Sequence, residues 1–272
     1  MLQDREEVME EPVLLRLADG IATITLNRPK VLNALDGAMV DGFTAALERI
    51  EASAETRVVV LDGAGAGFMA GGDIRAFQAV MDRSPDEKRV FFERFIHRFH
   101  PIIVMLRRLS LPVVARVHGA VAGAGMSLMM ACDLAIAAED AVFTLAYCHL
   151  GTSPDGGSTY FLPRHVGSKK AMEIALLGDR FDAATALQLG LVNAVVPVGE
   201  LDRRVGVLAA RLASGPRAAY AATKLLLNQS SGVGLDTQLQ AEAERFAACA
   251  ATPGFAEGVA AFLSKRPARF GK

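Results

Sequence analysis

Three segments of the chain place glycines beside groups able to do chemistry. Phe68-Met69-Ala70-Gly71-Gly72-Asp73-Ile74 follows an apolar run and leads into a helical pattern, so its backbone N–H groups are candidates to face a ligand. The same loop also reads as a plain strand-to-helix turn with Asp73 as N-cap. Gly123-Ala124-Gly125 precedes the apolar stretch Met126 to Ala131 in the same way. Two such turns could bring two N–H donors to one acceptor oxygen, as an oxyanion hole requires. Asp155 lies in Thr152-Ser153-Pro154-Asp155-Gly156-Gly157, ahead of a short helical pattern from Ser158 to His165. Its carboxylate suits either a general base or an Asx-turn cap.

Other ionisable groups point less clearly to chemistry. His97 and His100 stand three apart on a helical pattern with Glu93 one turn earlier, but zinc wants three or four ligands, so no metal site is assigned. His118, His149 and His165 each stand alone, and without a G-x-S-x-G elbow no Ser-His-Asp triad can be assigned. Cys132, Cys148 and Cys249 are too far apart for C-x-x-C chemistry and suit a reducing compartment.

The 272 residues allow one or two domains, and 29 Lys+Arg against 30 Asp+Glu argue against a surface built for nucleic acid. The acidic start, with Asp4, Glu6, Glu7, Glu10 and Glu11, has the wrong sign for a secretory or organellar leader, so a cytoplasmic protein is expected. Gly119 to Cys132 is the longest uncharged apolar stretch. Its 14 residues fall short of the roughly 20 needed to span a bilayer, so a buried element and no membrane are expected.

The elements that must position these groups follow from periodicity. Val13–Leu17 and Ile21–Leu26 alternate around Asp19-Gly20, which predicts a hairpin. Helical spacing covers 36–52 and 86–109, with strands at 58–61, 113–117, 134–137 and 142–145 and a Gly-rich run at 63–72. Beyond Ser158 the pattern is helical, at 168–177, 182–189, 201–213, 216–228, 235–251 and 255–263, with a brief strand at 192–196. The expectation is a compact α/β unit with a helical extension, and a loose ββα recurrence fits a spiral of stacked turns.

Four ordered segments resemble the crotonase, or enoyl-CoA hydratase/isomerase, superfamily, over about Val13 to Phe270. They are Asn27-Arg28-Pro29-Lys30-Val31-Leu32-Asn33-Ala34-Leu35, Phe68 to Ile74, His118 to Gly125, and the F-x-x-K-R-x-P-x-F ending Phe262 to Phe270. The resemblance implies an α/β fold, a crotonase-like spiral of stacked ββα turns: residues 1–200 as core, and 201–272 as a helical C-terminal segment for oligomerisation and closure of the CoA pocket. It implies a homotrimer or a dimer of trimers, an acyl-CoA thioester substrate, and no cofactor beyond the CoA that the substrate carries. The thioester oxygen would receive the N–H groups of Ala70 and Ala124. Arg28, Lys30, Leu32, Ala34, Gly71, Gly72, Asp73 and Ile74 would line the nucleotide end, and Lys265 would reach a CoA phosphate from the same or a neighbouring subunit. Ser127, Tyr147 and Pro154 would also be substrate-binding.

Departures from the pattern bear on activity. Where hydratases of the superfamily carry two glutamates, this chain has Ser127 and Tyr147, and neither hydroxyl normally titrates near neutrality. Asp155 stands where several isomerases keep their single acid, and Leu150 to Pro163 resembles Δ3,Δ2-enoyl-CoA isomerases and ring-1,2-epoxyphenylacetyl-CoA isomerases. The expectation is an acyl-CoA isomerase working through an enolate with Asp155 as base. The alternatives are an enoyl-CoA hydratase and a non-catalytic binding protein of the same fold.

Overall fold

The computed structural model describes residues 11–270, so the acidic residues Asp4 to Glu10 lie outside the described part. Strands β1 (Val13–Ala18) and β2 (Ile21–Leu26) pair antiparallel, Ala18 opposite Ile21. Asp19 and Gly20 between them have φ of 52° and 75°, the double positive turn whose twist matches a tight hairpin. Helix α1 (Gly37–Glu51) follows, capped by the Asp36 side chain, which accepts the Met39 N–H at 2.8 Å. Its face of Met39, Phe43, Leu47 and Ile50 is buried.

The chain then repeats one pattern three times. β3 (Val58–Gly63) and β4 (Gly67–Met69) lead to the short α2 (Ile74–Gln78) and the long α3 (Pro85–Arg108). β5 (Val113–Val117) and β6 (Ala120–Ala122) lead to α4 (Ala124–Ala131), and β7 (Leu134–Ala138) and β8 (Val142–Thr144) to α5 (Ser158–Leu177). In each turn the first strand joins a six-stranded sheet and the second a four-stranded one. The remaining elements are β9 (Phe181–Asp182), α6 (Ala183–Gln188), β10 (Ala194–Val196), α7 (Leu201–Ala213), α8 (Arg217–Ser230), α9 (Leu235–Ala250) and α10 (Pro253–Leu263). The sheet orders are β1-β2-β3-β5-β7-β10 and β4-β6-β8-β9. This is the stacked ββα spiral.

The strand-to-strand corner needs glycine. At Gly119 φ is 52°, and a Cβ there would meet the Ala66 and Gly67 backbone at 3.0 Å. The stretch Gly119 to Cys132 is a buried element, as expected: it forms β6 and α4, and every residue of α4 is buried. Gly167, φ 75°, breaks α5 into the two helical pieces that the periodicity separates.

One face of the large sheet, with Ile24, Leu26, Val59, Leu61 and Val113, faces the main core. The opposite face, with Val58, Val60, Val114 and Ile136, is covered by Leu201, Val205 and Ala209 of α7. A boundary at residue 200 therefore cuts through the core, because α7 closes the sheet's second face. The extension begins at α8, and α8 and α9 contain no buried residue. No single helix among the described residues is long and apolar enough to cross a membrane.

Candidate active site

Site construction begins at the segment between β2 and α1. Leu35 N–H donates to the Gly71 carbonyl at 2.7 Å and Asp73 N–H to the Leu35 carbonyl at 2.9 Å, so residues 33–36 lie alongside the first glycine loop. Asn33 is fully buried, and its amide donates to the Ala64 and Gly67 carbonyls at 2.9 and 2.8 Å while its oxygen accepts the Arg28 N–H at 2.8 Å. It clips the loop in place. Arg28 is bound internally, to the Ala34 carbonyl at 2.5 Å, Asp73 at 2.9 Å and Asp36 at 3.1 Å. Asp73 caps α2 by accepting the Arg75 and Ala76 N–H groups. Burial pushes its carboxyl up, but the Arg28 hydrogen bond and these N–H groups outweigh that and hold it below its ordinary value.

The two glycine turns meet. A Cβ at Gly123 would sit in ordinary contact, 3.5 Å from the Gly71 Cα, and what favours glycine in both turns is the backbone, with φ of 50° at Gly123 and 97° at Gly71. Ala124 N–H opens α4 and donates to no acceptor among the described residues, as expected for the first turn of a helix. The expectation for Ala70 is corrected: its N–H donates to the Leu32 carbonyl at 2.9 Å, because Leu32, at φ 51°, turns that oxygen toward it. In this turn the donors without an acceptor among the described residues are Gly71 N–H and Gly72 N–H.

Asp155 is half-buried on the opposite wall. Its Oδ1 accepts the Tyr147 hydroxyl at 2.5 Å, and its backbone carbonyl accepts the Ser127 and Ser158 hydroxyls at 3.0 and 2.7 Å. The side chain does not cap α5, whose N-cap is Gly157 with no side-chain cap bond. Burial, followed by the charge of Asp155, pushes the Tyr147 phenol far up, so it stays protonated. His100 Nε2 accepts the Gly156 N–H at 3.3 Å. This bond occupies the His100 ring, and no group of three or more potential metal ligands is found among the described residues.

These parts enclose a cavity of about 700 Å3. Of the expected residues, Ala70, Gly71, Gly72, Ile74, Ala124, Tyr147 and Asp155 line it. Arg28, Lys30, Leu32, Ala34, Asp73, Ser127, Pro154 and Lys265 do not: Arg28, Asp73 and Ser127 are tied into the wall behind it, Ala34 is buried, and Lys30 and Lys265 face solvent. The rest of the wall comes largely from the helices between Phe77 and Phe99, the least motif-like part of the chain. It includes Phe77, Met81, Lys88, Phe92, Phe95 and Ile96, with Phe77 edge-on to Phe92 and Phe95 at 5.1 and 5.8 Å. A larger groove of about 1090 Å3 between α3, α8 and α9 has no carboxylate in its lining.

The enoyl-CoA hydratase/isomerase family model matches residues 16–272. The chain belongs to this family, within the crotonase superfamily. It is 39% identical over 254 residues to a probable enoyl-CoA hydratase of Rhodobacter capsulatus, covering 93% of this chain and 95% of that one. It is 35% identical over 262 residues to the 1,2-epoxyphenylacetyl-CoA isomerase of Escherichia coli, covering 96% and 99%. The crystal structure of an enoyl-CoA hydratase from Polaromonas sp. JS666 superposes with a TM-score of 0.89 at 35% identity, covering 94% of this chain and 98% of that one. As a hydratase/isomerase family member, the chain has an acyl-CoA thioester as its fitting substrate, and the glycine turns and Asp155 are its candidate reacting groups.

Proposed function

We propose that the chain is an acyl-CoA isomerase that shifts a double bond, or rearranges a ring, through an enolate. One observation carries the reading: Asp155 is the only carboxylate among the described residues lining the cavity. The thioester oxygen takes the Ala124 N–H from one side and an N–H of the Ala70–Gly71 turn from the other. These donors stabilise the negative charge that develops when Asp155 removes a proton from the carbon next to the carbonyl. Returning the proton to the far end of the delocalised system completes a 1,3-shift. A single base suffices, and no cofactor is invoked.

Hydration needs a group that activates water and an acid that protonates carbon. Here the Ser127 hydroxyl is held between the Asp155 carbonyl and Ser158 Oγ, 2.6 Å away, and the Tyr147 phenol is committed to Asp155. The hydratase reading draws its support from the Rhodobacter and Polaromonas relatives, and would require Asp155 alone to serve both roles. The Phe77–Phe92–Phe95 wall supports a ring-bearing acyl group, since edge-on aromatic contacts favour one. Exposed Leu227, Leu235, Phe246 and Phe262 on α8–α10 support self-association, with a trimer or a pair of trimers as the proposed assembly.

The deciding measurement is exchange of the substrate's α- and γ-protons with deuterated water. Asp155→Asn should retain acyl-CoA binding and slow exchange by about 10²–10⁴-fold, the usual weight of a general base. Exchange at the wild-type rate would remove the mechanism. Solvent oxygen entering a 3-hydroxyacyl product would favour the hydratase instead.

A further inference from the structure

Asp155 is held at two points, and the two holds differ in kind. Hydroxyls of Ser127 and Ser158 bind its backbone carbonyl and fix where the residue sits. The phenol of Tyr147 binds one oxygen of its carboxylate at 2.5 Å and fixes which way the side chain faces. Tyr147 can do this because it opens a short 3-10 turn, Tyr147–Leu150, entered through Ala146 at φ 54° and left through Gly151 at φ 69°. Its ring passes beside Gly123, where a Cβ would lie 3.8 Å from the ring carbon bearing the hydroxyl. The carboxylate's other oxygen accepts no hydrogen bond from a described residue.

We propose that Tyr147 is the positioning residue of this site: its hydroxyl pins Oδ1 of Asp155 and directs the second oxygen to the substrate proton. The inference rests on the isomerase reading given above. A hydrogen bond to a charged acceptor is roughly twice as strong as a neutral one and favours the charged form. Tyr147 remains the donor throughout the catalytic cycle, whether Asp155 is ionised or carries the abstracted proton on its free oxygen. Other titratable groups reach the loop from α3 and from the turn. His100 accepts the Gly156 N–H, Lys88 lines the cavity and is bound to the Met81 carbonyl at 3.3 Å, and His149 faces away to the Gly178 carbonyl at 3.1 Å.

The test combines two variants with two readouts. In Tyr147→Phe kcat should fall about tenfold while KM changes little, because the base is misaligned and the pocket is intact. Replacing Tyr147 alone by 3-fluorotyrosine, a donor of the same shape, should keep kcat within about twofold of wild type. The 13C resonance of the Asp155 carboxyl at pH 7, assigned by its loss in Asp155→Asn, should move in Tyr147→Phe without requiring turnover. A kcat retained in Tyr147→Phe overturns the proposal, as does an Asp155 resonance that stays put in that variant. If Tyr147→Phe fails to fold, a fluorotyrosine protein that loses kcat as His100→Asn does overturns it instead. Undiminished exchange in Asp155→Asn would sink the isomerase reading, leaving the NMR result to judge the contact.

Discussion

Two aspartates flank the buried helix α4, and their surroundings show what separates a bolt from a reagent. Asp133 follows its C-terminal end and is surrounded by donors: Lys224 Nζ at 2.7 Å, the Val113 N–H at 2.8 Å and Arg107 at 3.9 Å. Lys224 in turn donates to the Leu106 and Leu111 carbonyls at 2.8 and 3.0 Å, tying α8 to the end of α3 and the start of β5. Asp155, reached through Ser127 of α4, has one neutral side-chain donor and a free oxygen facing a cavity. Two cations and a backbone N–H commit both oxygens of Asp133. A single uncharged donor leaves Asp155 oriented and still able to take a proton.

The contrast predicts opposite losses, and these are the largest expected. Asp155→Asn should lose activity by orders of magnitude with little change in denaturation midpoint. Lys224→Met should lower the denaturation midpoint, because it takes the nearest charge from a half-buried carboxylate that then keeps only the Val113 N–H and the more distant Arg107, yet leave the rate per folded molecule unchanged. The double replacement Asp133→Leu with Lys224→Met should recover most of that loss. If Lys224→Met instead abolished turnover in folded protein, the division between bolt and reagent would fail.

A pH experiment sharpens the same point. Burial pushes Asp133 up despite Lys224, and burial pushes Lys224 down despite Asp133. A carboxyl whose folded value is raised contributes stability that is full below its unfolded value of 3.8 and lost as pH climbs through the folded value. The stability advantage of wild type over Asp133→Asn should therefore shrink as urea melts are taken from pH 3 toward pH 6. An advantage that grows over that range would show that the ion pair outweighs burial.

Asn33 gives a middle-sized effect and links the two kinds of cluster. Asn33→Ala leaves the Ala64 and Gly67 carbonyls without their buried donor and should cost about 1–3 kcal/mol. It also loosens the loop that carries Ala70 and Gly71, so kcat should fall with it. Retained kcat in the folded variant would show that the loop is held by its strand contacts alone.

The large sheet, the hairpin and most helices were legible because each spans enough residues for periodicity to register. Of the small sheet only β8 was, as the strand expected at 142–145. β4, β6 and β8 are three residues each and β9 is two, and Gly67–Met69 lies inside a glycine-rich run that reads as loop. Of these, β4 and β6 carry the oxyanion turns. Motifs located Asp155, Ala124 and the first glycine loop, yet they could not say that Arg28 would be claimed by Asp36 and Asp73, or Ala70 N–H by Leu32. Such partners are fixed only when distant segments meet. The apolar stripe Phe92, Phe95, Ile96 and Phe99 was visible at helical spacing, but periodicity alone does not tell a core face from a cavity wall. Ser127 and Tyr147, noted for the carboxylates they replace, gained their role from touching Asp155.

Lys265 is a third kind of charge, and the smallest effect concerns it. It is exposed at φ 51° just beyond α10, and the tail that follows lies by Arg57, whose side chain donates to the Phe270 carbonyl at 3.3 Å. Arg57 precedes β3, whereas the glycine loop of the site follows it, so Lys265 does not reach the cavity of its own chain. If it binds a CoA phosphate, it serves a neighbouring subunit, alongside the exposed Phe262 and Leu263. Lys265→Ala should then weaken CoA-thioester affinity a few-fold and flatten its salt dependence, as expected for one point charge on phosphate. Phe262→Glu, if it yields monomers by sedimentation, should weaken affinity by a similar factor, and adding Lys265→Ala to it should change nothing further. A Lys265→Ala protein with wild-type affinity would end the phosphate role, and an additional loss in the monomeric double variant would place Lys265 at its own subunit's site after all.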